Sequence, residues 1–134
     1  MNKTTRDNLE TAMRSEAFTY AKYMLFAERA RTTGNPELAQ LLEKTAKQEL
    51  SEHFVEEAAL AEIVRSDVDN LEDAIASESY GIESMYRNFA EQAFSVGDKA
   101  VGELFEEIRH EEMKQRDAFK EALSKLAKNP LRAW

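Results

Sequence analysis

LETAMRSE at residues 9–16 returns as LEDAIASE at residues 71–78, 62 positions on. Both stretches carry apolar residues at helical spacing and end on a glutamate, Glu16 and Glu78. Further along, the echo runs at an offset of 63: FAERA from Phe26 pairs with FAEQA from Phe89, Gly34 with Gly97, and Glu49 with Glu112. A helix–turn–helix unit is therefore written twice. One extra residue falls in the third helix, between Glu78 and Phe89. A single residue inserted into a continuous helix is often absorbed as a π-bulge, and such bulges favour functional sites.

Apolar stripes stepping by three or four extend the pattern over nearly the whole chain. They run Leu9, Met13, Tyr20, Tyr23, Ala27, Ala30; Leu38, Leu42, Thr45, Ala59, Ile63; Leu71, Ile75, Ile82, Met85, Phe89; and Val101, Phe105, Ile108, Phe119, Ala122, Leu126. Gly34 closes the first helix, Asn35 is placed to cap the second, and Pro36 suits its first turn. Gly97 and Asp98 repeat that punctuation, Ser66–Asn70 offers cap side chains, and Asn129-Pro130 ends the last helix. The spacing predicts helices over about 5–33, 36–64, 70–96 and 98–127. With only Gly 4 and Pro 2 and with 33 % charged residues, the composition is that of an all-α protein. The length fits one domain over residues 1–134.

Composition also excludes. There is no cysteine, hence no disulfide, thiolate metal site or thiol nucleophile in this chain. A net charge of −8 disfavours nucleic acid and anionic membrane as partners. The first residues lack the apolar run of a signal peptide, and no segment has the roughly 20 apolar residues of a membrane helix. The expectation is a soluble cytoplasmic protein.

Glu16, Glu49, Glu78 and Glu112 each lie on the apolar seam of a different predicted helix. An ionised carboxylate facing a core is costly unless something pairs with it. A seam glutamate at the end of a helix bundle reaches water. Four at matched mid-helix positions point instead to a shared partner, most simply a pair of metal ions. A bundle holding two metals uses a Glu from each of two helices, and a Glu with a second ligand one turn later from each of the other two. Here Glu52 and His53 follow Glu49 on either side of the seam, and Gln115 follows Glu112. Such hard oxygen ligands suit iron or manganese better than copper or zinc. Glu107-Ile108-Arg109-His110 is a literal E-x-x-H, but with Ile108 inward His110 faces solvent. Glu56 faces inward a further turn along. Tyr20, Tyr23 and Tyr86 lie near the stripes, where an amphipathic ring fills core or, beside a redox metal, donates a hydrogen bond to bound oxygen species.

With these residues in place the chain resembles the rubrerythrin branch of the ferritin-like superfamily over nearly its whole length. RSEAFTYAKY surrounds Glu16, and KTAKQELSEH at residues 44–53 stands where the family has a second-helix E-x-x-H. ESYGIESMY at 78–86 stands for its E-N-Y-E with a following Met-Tyr pair, and EMKQ at 112–115 for its fourth-helix E-x-x-H. The resemblance implies a ferritin-like four-helix bundle with a carboxylate-bridged pair of iron ions. Glu49 and Glu112 would bridge, Glu16 and Glu78 would be terminal, and Glu52, His53 and Gln115 would fill the second-ligand places. Tyr23 and Tyr86 would stand near the reacting centre. The implied chemistry is reduction of hydrogen peroxide. The alternatives are oxidation of ferrous iron by oxygen or peroxide in an iron-handling protein, or a degenerate domain kept for assembly. Three departures stand out: Gly81 replaces the second Glu of E-N-Y-E, Gln115 replaces a His, and Glu52 pushes His53 one residue along. The rubredoxin module of full rubrerythrins has no counterpart, so electrons are expected from a separate donor protein.

The resemblance also makes the second and third helices parallel. Bringing Glu49 level with Glu78 inside one chain needs a return of roughly 34 Å at 1.5 Å per helical residue. Residues 65–69 stretch to only about 20 Å. The expectation is a domain-swapped homodimer, with a plain up-down-up-down monomer as its rival.

Overall fold

Asn2 opens the first helix by accepting a hydrogen bond from the Thr5 N–H at 2.8 Å. The structure, a computed structural model, describes residues 1–129. It is all-α, consistent with the ferritin-like four-helix class, and no strand occurs among the described residues. The elements are α1 (Lys3–Thr32), α2 (Pro36–Gln48), the π-helical segment π1 (Glu49–Phe54), α3 (Val55–Ala61), α4 (Asp67–Tyr80), the π-helical segment π2 (Gly81–Met85), α5 (Tyr86–Ser95) and α6 (Lys99–Ala127). They form two compact units, Met1–Val64 and the remainder from Arg65 onward. No described helix is long and apolar enough to cross a membrane.

In the first hairpin α1 packs along α2, π1 and α3. Its seam is built of small residues: Ala27, Ala30, Ala39, Ala46 and Ala58 are buried with Met13, and Leu42 packs on the Ala27–Ala30–Ala39 cluster. Alanines let the two backbones approach closely. The turn between the helices rests on Gly34 at φ +78°, with the Asn35 N–H bonded to Ala30 O at 2.8 Å. An Arg31–Glu43 ion pair ties the two arms beside it.

In the second hairpin α6 packs along α4, π2 and α5. Gly81, Ile82, Ala90, Ala93 and Gly102 are its buried positions. A methyl group at Gly102 would meet the Phe94 ring at 2.6 Å, so this glycine is where α5 and α6 touch. Phe105 lies between Tyr86 and Phe89, with ring centroids at 5.9 and 5.8 Å. The turn is again left-handed, with Gly97 at φ +87°.

The expected bulge after Glu78 is present as π2, where the Tyr86 N–H bonds to Gly81 O five residues back. The matching segment in the second helix, π1, where the Val55 N–H bonds to Leu50 O, is not expected from the periodicity. Its extra residue shifts the phase of everything after it by one position. Glu57 therefore turns inward where Glu56 was expected, and Glu56 is exposed. Ala59 and Ile63, expected on the buried stripe, are exposed for the same reason, and the helix stops at Ala61, with Glu62 left-handed at φ 55°. Phe89 and Val101 are also exposed.

Ser66 caps α4 by accepting from the Asp69 N–H at 3.1 Å. Asn35 and Asp98 occupy cap positions but make no cap bond. The Asn35 amide instead donates to Thr33 O and Oγ1. Pro130 as terminator of the last helix lies outside the described residues.

Candidate metal centre

Each hairpin carries one half of the expected constellation. In the first, α1 supplies Glu16 and π1 supplies Glu49 and His53. One ligand atom from each falls within 4.8 Å of the others. The looser winding of π1 brings His53, four residues on, back against Glu49, with His53 Nδ1 at 2.6 Å from Glu49 Oε2. Glu52 points elsewhere and accepts from the Gln48 side-chain amide at 3.0 Å. Of the two, His53 and not Glu52 is the neighbour of the Glu49 carboxylate.

The electrostatics of this cluster fit together. A hydrogen bond to Glu49, helped by desolvation and the Glu49 charge, raises the Glu16 carboxyl above its usual range. Glu49 is held below its usual range by the bond from Glu16 and by the one from His53. The Glu49 carboxylate raises His53 in turn. The Glu16 carboxyl and the His53 ring thus both hold a proton more strongly beside Glu49 than they would alone. Glu57, from α3, adds a further negative charge, and its buried Oε2 has no partner. Reading the stripe as an unbroken α-helix missed Glu57. A sequence sign of π1 would have been needed to find it.

In the second hairpin Glu78 comes from α4 and Glu112 from α6. Both are half-buried, and both leave a buried Oε2 with no hydrogen-bond partner. Burial, then the nearby Glu78 charge, raises Glu112 above the usual carboxylate range. Gly81 creates the space that Glu112 fills, since a Cβ there would lie 2.0 Å from Glu112 Oε2. Two side chains of α6 hold π2 in place. Arg109 Nε donates to Ile82 O at 2.6 Å, and an Arg116 guanidinium N–H donates to Glu83 Oε1 at 3.1 Å.

The remaining expected residues divide. Gln115 is exposed but lines one shallow groove with Glu112. His110 is exposed and turned onto Glu106 O at 2.6 Å, away from the seam. Tyr23 and Tyr86 are half-buried, packed on Phe26 and Phe105. Tyr20 is half-buried as well.

Residues 7–53 match the Rubrerythrin family. The match is consistent with a rubrerythrin-type ferritin-like domain and suggests a metal-binding, di-iron protein. It runs from the start of α1 to His53, so it contains Glu16, Glu49 and His53, and the second hairpin lies outside it. No curated protein matches the chain. The residues fit a rubrerythrin-type metal. Buried carboxylate oxygens without donors, as on Glu78 and Glu112, are costly unless a cation meets them. Carboxylates with an imidazole are the donor set that iron and manganese accept.

Proposed function

We propose that this chain is a rubrerythrin-type di-iron oxidoreductase that reduces hydrogen peroxide with electrons from a separate donor protein. The convergence of Glu16, Glu49 and His53, inside the family-matched segment, carries the reading. Glu16, Glu49 and His53 of the first hairpin and Glu78 and Glu112 of the second would be the residues that hold the pair. When bound, the iron pair supplies one electron per ion, which suits a substrate that takes two.

The protein's own groups supply the rest. Reduction of peroxide cleaves its O–O bond and consumes two protons and two electrons to give two waters. The Glu16 carboxyl and the His53 ring, both shifted upward beside Glu49, are the groups of this cluster with raised proton affinity. A cation that takes those atoms displaces any proton on them, so loading should release protons. Tyr23 and Tyr86 keep apolar rings in the packing and offer hydroxyls as hydrogen-bond donors.

The test is metal content followed by reoxidation. Protein purified without chelator should carry iron. The reduced protein should be reoxidised faster by peroxide than by oxygen. Faster reoxidation by oxygen, with release of mineralised iron, would favour the iron-handling alternative. Absence of any metal would favour the degenerate domain.

We further propose that the working form is a homodimer in which hairpins are exchanged. Each hairpin has a core of alanines and a few larger residues, and no large side chain among the described residues is fully buried. Units of about 60 residues rarely stand on so little core. Phe18 is 68 % exposed and Leu25 72 %, and Leu41, Leu60, Val96 and Leu104 are also open. The link from Ala61 to Asp67 is short, and short hinges invite exchange between copies. Co-refolding Glu49→Ala chains with Glu112→Ala chains tests it. An exchanged heterodimer gathers both lesions in one site and leaves the other whole, so about one site per dimer loads. A metal-loaded monomer of the natural chain would refute the exchange.

A further inference from the structure

The internal repeat assigns a counterpart to each member of the first cluster. At the offset of 63 that pairs Glu49 with Glu112, His53 falls at Arg116, and the extra residue of π1, which α6 lacks, moves its place to Gln115. A guanidinium has donors only and cannot ligate a cation. Here it is already committed, since an Arg116 N–H donates to Glu83 Oε1 and holds π2. One residue earlier is Gln115, an amide whose neutral oxygen is a weaker donor than imidazole or carboxylate. The only other imidazole of the chain, His110, is turned onto a backbone carbonyl on the exposed side of α6. The second hairpin therefore brings two carboxylates, Glu78 and Glu112, and no ring nitrogen.

Gly81 sharpens the asymmetry. The Glu112 carboxylate occupies the space a side chain at position 81 would need. The π2 turn thus presents backbone to Glu112 at the very place where a third carboxylate would have entered. The first hairpin has the opposite arrangement. Its π1 turn swings an imidazole onto Glu49.

We propose that the two metal positions of this protein load unequally. The first ion is held tightly through Glu16, Glu49 and His53 of the first hairpin. The ion that depends on Glu78 and Glu112 binds at least about tenfold more weakly, the size of effect that lost metal-site interactions commonly produce. The inference rests on the proposed metal function and adds an order of loading. Its consequence is a form with one iron per chain at limiting iron, which cannot deliver two electrons at once.

The test is anaerobic equilibrium dialysis of the full chain against ferrous iron, with iron per chain measured directly. A plateau at one iron, followed by a second at about tenfold or higher free iron, is the expected result. His53→Ala should remove the first plateau, leaving only weak binding. Gln115→His adds an imidazole in the groove it shares with Glu112. It should bring the second plateau toward the first while leaving the first in place. Two ions of equal affinity in the natural chain would overturn unequal loading and leave the metal function standing. No bound iron at any concentration would overturn both. A second plateau unmoved by Gln115→His would overturn the missing nitrogen as its cause.

Discussion

The two hairpins share a repeat, a left-handed glycine turn and an alanine seam, yet they place their extra residue on different arms. In the first it lies on the arm that carries Glu49, as π1. In the second it lies on the arm that carries Glu78, as π2. The first half-site is internally paired, with His53 bonded to Glu49 and a Glu16 oxygen within 4.8 Å of both. The second leaves the Oε2 atoms of Glu78 and Glu112 buried without partners. The lesson is that the position of one residue in a helix decides whether a carboxylate meets a side chain or a backbone. On an otherwise duplicated scaffold, that choice sets the ligand chemistry of each half.

The largest effects should come from removing the carboxylates the halves do share by symmetry. Glu49→Ala should abolish binding of both ions and Glu112→Ala that of the second ion, each read as iron per chain. His110→Ala should leave metal content unchanged, because its ring is bonded to Glu106 O on the exposed side of α6. An empty site in His110→Ala with a full one in Glu112→Ala would break the phasing of α6, and with it the comparison.

Stripping the metal should separate the halves by their protons. Saturating iron at about 100 times its dissociation constant adds about 2.7 kcal/mol of stability. The metal-free protein should therefore melt lower near neutral pH. Its pH dependence follows from the shifts. Glu16 and Glu112 are raised above the usual 4.5, so their contribution is present below 4.5 and lost as pH rises through their folded values. His53 is raised above 6.5, so its contribution is full below 6.5 and lost as pH rises further. Glu49 is lowered, so its contribution is present above 4.5 and lost on acidification. The metal-free protein should thus be more stable near pH 5 than near pH 8, and iron should reverse that order. Melting temperatures at both pH values check this, and a metal-free protein more stable at pH 8 would contradict it.

The two buried glycines of the second hairpin should fail in different ways. A methyl at position 102 meets the rigid Phe94 ring at 2.6 to 2.8 Å, so Gly102→Ala should cost about 1–3 kcal/mol of stability. A methyl at position 81 meets the far end of the Glu112 side chain, which can swing away. Gly81→Ala should cost less stability and instead weaken the second ion. Denaturant melts and iron titration on both variants separate the outcomes. Equal loss of stability with unchanged iron binding would show that Gly81 is a packing position only.

Much of this was legible in the sequence. The repeat, the helix count, the glycine turns and π2 follow from periodicity and from the one-residue change in offset. What stayed hidden traces to π1. An insertion is visible in a repeat only when its partner lacks it, and the repeat beyond Glu49 is too weak to show one. The stripe was therefore continued as ideal α-helix, which put Glu56 rather than Glu57 inward and left Glu52 and His53 undecided. The exposure of Ile63, Phe89 and Val101 has a different origin. Periodicity shows which face of a helix is apolar, and it does not show how much of that face the hairpin itself covers. Gly81 was visible as a departure from the family pattern, but its use became clear only once the Glu112 carboxylate was seen in the space it leaves.

The smallest effects concern how the hairpins begin. The opening helices are both capped by side chains, α1 by Asn2 and α4 by Ser66. The return helices, α2 and α6, have Asn35 and Asp98 in the cap positions with no cap bond, and follow the left-handed Gly34 and Gly97. Ser66 Oγ accepts from the Asp69 N–H and donates to Asp69 Oδ2 at 2.7 Å, so it satisfies one of the unpaired amides that start α4. Ser66→Ala should cost about 1 kcal/mol, the usual worth of such a cap. Asp98→Ala loses no cap bond. It forgoes only the attraction between an exposed anion and the positive end of α6, about 0.3–1 kcal/mol at low ionic strength and less in salt. Measured in 0.5 M salt, the Ser66 variant should retain its deficit while the Asp98 variant approaches the natural chain. Equal deficits at high salt would mean that Asp98 anchors α6 by a contact other than its charge, and that the contrast between capped and glycine-set helices does not hold.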